Sequence, residues 1–284
     1  MLIDLHSHST ASDGTDRPEA LVRAAKAAGL DVVALTDHDT TSGWAEAVAA
    51  LPAGLTLVRG MEMSCEGRGE DGRPVAVHLL AYLFDPAHPA FARERERLLD
   101  ERVVRVRAMA ERMKEDGLPI DADEVLAEAG VAAGRPHLAR ALMRAGVVDS
   151  VGEAFVDLLA PGGRYFVDKS DTPLDEAVQL VAEAGGVSVL AHGRARMRGR
   201  LLALEHIRDL ASAGLHGLEV HHPDHSAADT RLLQDLAGEL DLVVTGSSDY
   251  HGANKNTRLG EFSTNADEFD RLVSKSSGVP VISS

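Results

Sequence analysis

Asp4-Leu5-His6-Ser7-His8-Ser9 stands at the head of this 284-residue chain, in and just after an apolar run that begins at Leu2. In an extended segment residues i and i+2 point the same way, so His6 and His8 turn two imidazoles toward one point. One H-x-H alone is a weak signal, because a hydrogen-bonded core or surface pair reads the same. Its weight comes from what accompanies each later apolar run. Val32–Thr36 is followed by Asp37, His38 and Asp39. Leu55–Met63 ends beside Glu62, and Pro74–Phe84 carries His78. Val187–Ala191 meets His192, and Gly217–His221 brings Glu219, His221 and His222. Leu242–Thr245 is followed by Asp249 and His251.

These runs read as strands, and helical spacing separates several of them. Pro18–Ala28 has Pro18 near its start and Gly29 just past its end, the asymmetry of a helix. Leu174–Ala184, Leu201–Ala213 and Ala227–Leu240 follow the same spacing. Strands and helices at this cadence imply an α/β fold with a parallel sheet, open or closed into a barrel. The loops after the strand C-terminal ends then converge on one face. Residues as distant in sequence as His6 and His251 meet there. Imidazole and carboxylate donors together suit Mn, Fe and Zn, and argue against Ca or Mg alone.

The middle of the chain differs. From about Ala87 to Asp157 it is helical and strongly charged, densest in Arg and Glu over Arg93–Lys114, with Leu98, Val103, Val106 and Met113 among them. Interspersed Glu and Asp make this a solvated amphipathic helix rather than a basic nucleic-acid arm. Residues 96–170 are expected to form an inserted helical subdomain that caps the substrate, with Pro161-Gly162-Gly163 at its exit. Residues 1–95 and 171–284 would form the metal-binding barrel.

Composition narrows the function. Net charge is −16, from 29 Lys+Arg against 45 Asp+Glu. Such a chain has no basic surface for DNA, so an anionic substrate must be drawn by a local positive centre, which bound cations provide. Cys65 stands alone, which excludes an intrachain disulfide and a cysteine zinc cage; it reads as a small half-buried residue. No apolar run approaches the roughly 18 residues of a membrane span, and no basic leader precedes His6. The expected location is the cytoplasm.

Asp4-Leu5-His6-Ser7-His8-Ser9, Ser12-Asp13-Gly14, Thr36-Asp37-His38-Asp39, Gly60-Met61-Glu62, Ala191-His192 and Ser248-Asp249-Tyr250-His251 together resemble the PHP family of polymerase and histidinol phosphatase domains, in family order along nearly the whole chain. The resemblance implies a distorted seven-stranded (β/α) barrel with two to three divalent ions, Mn favoured over Fe or Zn. It implies a first ion held by His6, His8, Glu62 and Asp249. Glu62 would bridge to a second held by His78 and His192, and Asp13, His38 and His251 would hold a third. Asp13, where many members carry His, is similar to the branch of nucleoside 3′,5′-bisphosphate phosphatases and 5′-end ribonucleases, as is the helical insertion. Gly134-Arg135-Pro136-His137-Leu138-Ala139-Arg140 looks like the segment that lends an Arg to the substrate phosphate. One departure is plain: the family often has His-Pro-Gly-Arg where this chain has His192-Gly193-Arg194.

The expected activity is hydrolysis of a nucleotide phosphomonoester by a metal-bound hydroxide, with a small phosphorylated nucleotide or a short RNA 5′ end as substrate. Two ions about 3.5–4 Å apart activate water and polarise the phosphoryl oxygens. Arg135, then Arg194, are candidates to orient phosphate, since the guanidinium fork matches its oxygens. His222 is the candidate acid for the leaving alcohol. Asp37 and Asp39 would orient ligand histidines. His137 and His225 read as structural or surface residues, Trp44 and Tyr82 as core. The alternatives are a histidinol phosphatase, against which Asp13 and the insertion argue, and a non-catalytic metal-binding module.

Overall fold

Val32-Val33-Ala34-Leu35 is buried on both faces, and the two faces meet different partners. Val32 and Ala34 pack with Ile3, Leu5, Val58, Leu80, Val189 and Val243. Val33 and Leu35 pack with Leu21, Val22 and Ala25. Strands that read as unbroken apolar runs are those covered on both sides. Here the inner cover is the interior of a barrel and the outer cover a layer of helices.

The computed structural model describes residues 1–284 apart from the side chain of Arg198. Its strands are β1 (Ile3–Asp4), β2 (Val32–Leu35), β3 (Thr56–Arg68), β4 (Pro74–Tyr82), β5 (Thr172–Pro173), β6 (Val187–Leu190), β7 (Gly217–His221), β8 (Val243–Gly246) and β9 (Ile282–Ser283). Its helices are α1 (Pro18–Ala27), α2 (Trp44–Ala49), α3 (Pro89–Glu115), α4 (Ala122–Ala129), α5 (Arg135–Arg144), α6 (Val151–Asp157), α7 (Leu174–Glu183), α8 (Leu204–Ser212), α9 (Ala227–Glu239) and α10 (Ala266–Ser274). Seven strands pair in the order β1-β2-β3-β4-β6-β7-β8, while β5 and β9 pair with β3 at its two ends. The ends of the path meet beyond β1 and β8, where Ser7 bridges Tyr250 and the His8 N–H donates to the Tyr250 carbonyl at 2.8 Å. Thr264 fills the seam: its N–H donates to Ile3 O and its hydroxyl to Gly246 O. The result is a nearly closed, distorted seven-stranded barrel.

One feature corrects the all-parallel expectation. β4 runs antiparallel to both β3 and β6. β3 and β4 form a long hairpin with no helix between them, closed where Gly69 N–H donates to Arg73 O across Gly72, whose φ is +77°. A tight turn can join antiparallel strands, whereas parallel strands need a crossover. The reversal moves the site level from the end of β4 to its middle, opposite Ser64, where His78 lies.

The insertion leaves the barrel through α3, a 27-residue helix. Phe91 and Leu98 pack on the barrel's outer core. Val106, Met109 and Met113 pack in a second core with Val125, Leu138, Leu142 and Leu159. Residue 96 therefore lies within α3, which both cores share. Tyr82 donates its hydroxyl to Leu5 O and Trp44 its indole N–H to Gly60 O, so each is a core residue with its polar tip satisfied. Cys65 is fully buried on β3, not half-buried, and burial pushes its thiol well up. Among the described residues no helix is long and apolar enough to cross a membrane.

Candidate metal centre

Glu62 sits on the inner face of β3, and the β3–β4 register places His78 on the same face. Its Oε1 lies 2.7 Å from His78 Nδ1 and 2.8 Å from His192 Nε2. Its Oε2 lies 3.0 Å from His38 Nδ1, 3.1 Å from His8 Nε2 and 3.3 Å from His6 Nε2. One buried carboxylate thus faces five imidazoles from four places in the chain. Asp249 Oδ1 stands 3.5 Å from both His6 Nε2 and His8 Nε2, and 3.3 Å from His251 Nδ1. Asp13 faces His38 at 3.6 Å, His251 at 3.4 Å and His8 at 3.7 Å. The structure therefore brings His6, His8, Asp13, His38, Glu62, His78, His192, Asp249 and His251 into one cluster.

These donors are poorly matched to one another as hydrogen-bond partners. His6 Nε2 and His8 Nε2 point at each other across 3.0 Å. Glu62 Oε2 and His38 Nδ1 are buried and make no hydrogen bond among the described residues. Buried polar atoms normally find partners, and convergent ring and carboxylate lone pairs are what a divalent ion requires. Three donor groups have ligand atoms within 4.8 Å of one another: His6, His8 and Asp249; His38, Glu62 and His78; and His8, Asp13, His38 and His251. The residues present fit metal ions, and His8 and His38 are each shared between two groups.

Charge supports this. Burial alone would raise the Glu62 carboxyl, but His78, His38 and His6 outweigh it and hold it well below its ordinary value. Asp249 is likewise lowered against burial, by Lys255, His6 and His251. Asp13 is lowered against burial by His38, His251 and His8. Burial holds His38 well below its ordinary value, and burial with Lys255 and His8 lowers His251 to about 3. Ionised carboxylates and neutral imidazoles are the ligand forms metals bind. His6 is the exception: despite burial, Glu62, Asp249 and Glu219 raise it well above its usual value.

The support beneath the cluster was only partly legible beforehand. Glu219 lies at a strand end, yet nothing local marks its role; it faces His6 Nδ1 at 2.9 Å and accepts from His192 N–H at 2.7 Å and from the Ser247 hydroxyl. Asp4 accepts from Ser248 N–H, Ser248 Oγ and Gly260 N–H. Asp37 and Asp39 hold loops rather than histidine rings. Asp37 accepts from Ser9 N–H, Ser9 Oγ and Ser12 Oγ, and Asp39 from Ser64 N–H, Ser64 Oγ and Arg102 Nε. Asp39, His192 and Asp249 adopt φ of +53°, +32° and +52°. Non-glycine residues held there store strain that the surroundings must over-determine, a pattern common at functional sites.

The substrate-side candidates divide. His222 accepts the Asp224 N–H on Nδ1, so its proton lies on Nε2, 3.2 Å from Asp249 Oδ2. Lys255 Nζ reaches the same oxygen at 2.5 Å; no signal marks this lysine in an irregular loop. Arg135 makes no contact with the cluster: it donates to Leu159 O and lies against Phe155 and Phe166. Arg194 is buried, 2.6 Å from Glu70 and 3.7 Å from Asp229. His225 bonds Val220 O and the Arg194 N–H, and His137 accepts the Gly134 N–H at the start of α5.

Comparison with known proteins agrees with this geometry. The chain is 34% identical to a 5′-3′ exoribonuclease of Haemophilus influenzae, over 87% of this chain and 89% of the relative. It is 33% identical to a 3′,5′-nucleoside bisphosphate phosphatase of Chromobacterium violaceum, over 90% and 89%. It is 34% identical to a phosphoribosyl 1,2-cyclic phosphate 1,2-diphosphodiesterase of Eggerthella lenta, over 89% and 95%. A solved structure from Bifidobacterium adolescentis, described as a candidate metal-dependent phosphoesterase, superposes with a TM-score of 0.90 at 36% identity, covering 97% of this chain and 96% of that one. The PHP domain model matches residues 4–273, from the strand beneath His6 into the last helix. With the barrel, the histidine cluster and this match in agreement, the chain belongs to the PHP domain family.

Proposed function

We propose that this protein is a metal-dependent phosphoesterase that hydrolyses a phosphomonoester of a nucleotide. Its preferred group is the 3′-phosphate of a nucleoside 3′,5′-bisphosphate, and 5′-3′ trimming of a short RNA is a related activity. The observation that carries this reading is Glu62, whose two oxygens face five imidazoles while Asp249 and Asp13 close the cluster's flanks. The set His6, His8, Glu62 and Asp249 would hold one ion, Glu62 with His78 and His192 a second, and Asp13, His38 and His251 a third, with Mn favoured. Bound divalent ions supply Lewis acidity toward phosphoryl oxygens and make water a nucleophile near neutral pH.

The chain's own groups supply orientation and protons. His222 carries its proton on Nε2 at the edge of Asp249, suited to a leaving alkoxide. Lys255, about one-third exposed, adds a cation at the same edge. Residues 96–170 form the cap, and Arg140 on α5 reaches over the site to the Asp13 carbonyl at 3.2 Å. The contacts of Arg194 with Glu70 and Leu202 O support a role in holding the loop that carries His192, rather than in gripping phosphate.

A substrate panel with Mn tests the reading: adenosine 3′,5′-bisphosphate, AMP, histidinol phosphate, a 1,2-cyclic ribose phosphate and a short 5′-phosphorylated RNA. The bisphosphate is expected to give the highest kcat/KM. Preference for histidinol phosphate overturns the nucleotide assignment, and preference for the cyclic ester moves it to phosphodiesters.

A further inference from the structure

The loops that follow β1 and β8 are stitched together around Asp13. The Tyr250 N–H donates to His6 O, and the Tyr250 hydroxyl to Asp16 at 2.7 Å. The Ala253 N–H donates to the Thr15 hydroxyl at 2.8 Å. Gly252, at φ +63°, leaves room for that hydroxyl, because a Cβ there would stand 2.0 Å from it. Within the first loop, Thr10 N–H donates to Asp16 O and Gly14 N–H to Ser9 O. The Asp13 carbonyl takes its donors from elsewhere: Asn254 Nδ2 at 2.6 Å and Arg140 Nη1 at 3.2 Å. A carbonyl oxygen has two lone pairs, so it accepts both. Asn254 belongs to the loop after β8, whereas Arg140 lies on α5 of the insertion. A helix of the cap therefore grips a barrel residue by its backbone.

The residue gripped is a candidate ligand. The Asp13 carboxylate faces His38, His251 and His8. It is the single carboxylate in the donor group His8, Asp13, His38 and His251, and it appears in neither of the other two groups. An ion in that group has no other anionic partner within it, so its hold depends on where Asp13 stands. Metal–ligand distances are kept to within about 0.2 Å, and a contact that fixes the Asp13 backbone fixes that distance. Arg140 acts from a firm base, because Leu138 and Leu142 on the same helix are buried in the cap's own core with Val106, Met109 and Met113. The barrel side is equally firm, through Thr15, Tyr250 and Asn254.

We propose that Arg140 is a positioning residue that couples the cap to the third ion: α5 holds the Asp13 backbone and thereby sets the affinity of the site formed by Asp13, His38 and His251. Such coupling is reciprocal by thermodynamic necessity. An ion that fixes Asp13 also fixes the carbonyl that Arg140 holds, and so steadies α5 over the barrel. The inference rests on the three-ion reading above, and adds the part that the insertion plays in it. Arg140 acts here through Asp13, with the barrel rather than the reacting phosphate as its partner.

The test is titration of the metal-free full chain with Mn²⁺ alone, free ion being read by electron paramagnetic resonance. The binding class that weakens in Asp13→Asn marks the third ion. Arg140→Gln is expected to weaken that same class by at least about tenfold, the scale of a lost ligand-orienting partner, and to leave the other classes within about twofold. Arg140→Lys, which keeps a donor on a long side chain, should recover most of the loss. Hydrogen exchange of the α5 amides in wild type is a second readout that needs no variant at Arg140: their protection should rise as the third class fills. An unchanged third class in Arg140→Gln, an equal loss in every class, no recovery in Arg140→Lys, or α5 protection that does not follow the third class overturns the coupling and leaves the three-ion reading standing. A titration in which Asp13→Asn weakens no class overturns that reading and the coupling with it. None of these outcomes depends on hydrolysis, so a failed substrate panel is a separate result.

Discussion

Glu219 holds His6 from below: its Oε1 lies 2.9 Å from His6 Nδ1, while its Oε2 accepts the backbone N–H of His192. A single carboxylate on β7 thereby orients one candidate ligand from the chain's N-terminus and pins the backbone of another after β6. It leaves His6 Nε2 facing Glu62 and Asp249.

Glu219→Gln keeps the shape and removes the charge. Partners of this kind typically change metal affinity by about 10- to 100-fold. A loss in that range is expected in an ion titration of the variant, with circular dichroism unchanged. An unaltered titration would show that Glu219 serves packing alone.

Asp249→Ala should abolish phosphoesterase activity while the fold is retained. Ions that bind only the folded state raise its stability by mass action, so chelation should lower the wild-type Tm by several degrees. The Tm of Asp249→Ala should respond less. Full activity in the variant would sink the metal mechanism.

His222→Asn removes the Nε2 proton near Asp249. A general acid contributes about 10²–10⁴-fold, and its loss matters most for a poor leaving group. The expected result is a kcat fall of at least about 100-fold on a nucleotide and a much smaller fall on p-nitrophenyl phosphate. Equal falls on both would remove His222 as the acid.

His137, buried with its Nδ1 accepting the Gly134 N–H, is lowered to about 4, by burial first and then Arg140. Its folded pKa lies below the unfolded value of about 6.5. Between these values the unfolded chain binds more protons, so stability is full above about pH 6.5 and falls as pH drops toward 4. The loss attributable to this residue is on the order of 2–3 kcal/mol. His137→Asn keeps an acceptor for Gly134 and cannot titrate, so denaturant melts at pH 7 and pH 4.5 should show a smaller decline for the variant than for wild type.

The chemistry of the centre was legible in one dimension because metal ligands come as residue types that few other roles require. His6-x-His8, His38 between two aspartates, and Asp249-x-His251 lie just past short apolar runs, and the alternation of strand and helix brings such loops to one face. Linear order could not show the reversal of β4, because a nine-residue apolar strand reads the same in either direction. Nor could it show that His8 belongs to two donor groups, that Asp37 and Asp39 tie loops, or that Arg194 is committed to Glu70. Those assignments depend on which atoms face each other across the barrel, and closure alone sets that. The opening pair, taken with the histidines and carboxylates that accompany the later apolar runs, therefore pointed to metal binding and roughly to its place. The tertiary structure decided how Glu62 gathers imidazoles from four places in the chain, because barrel closure sets which atoms face one another.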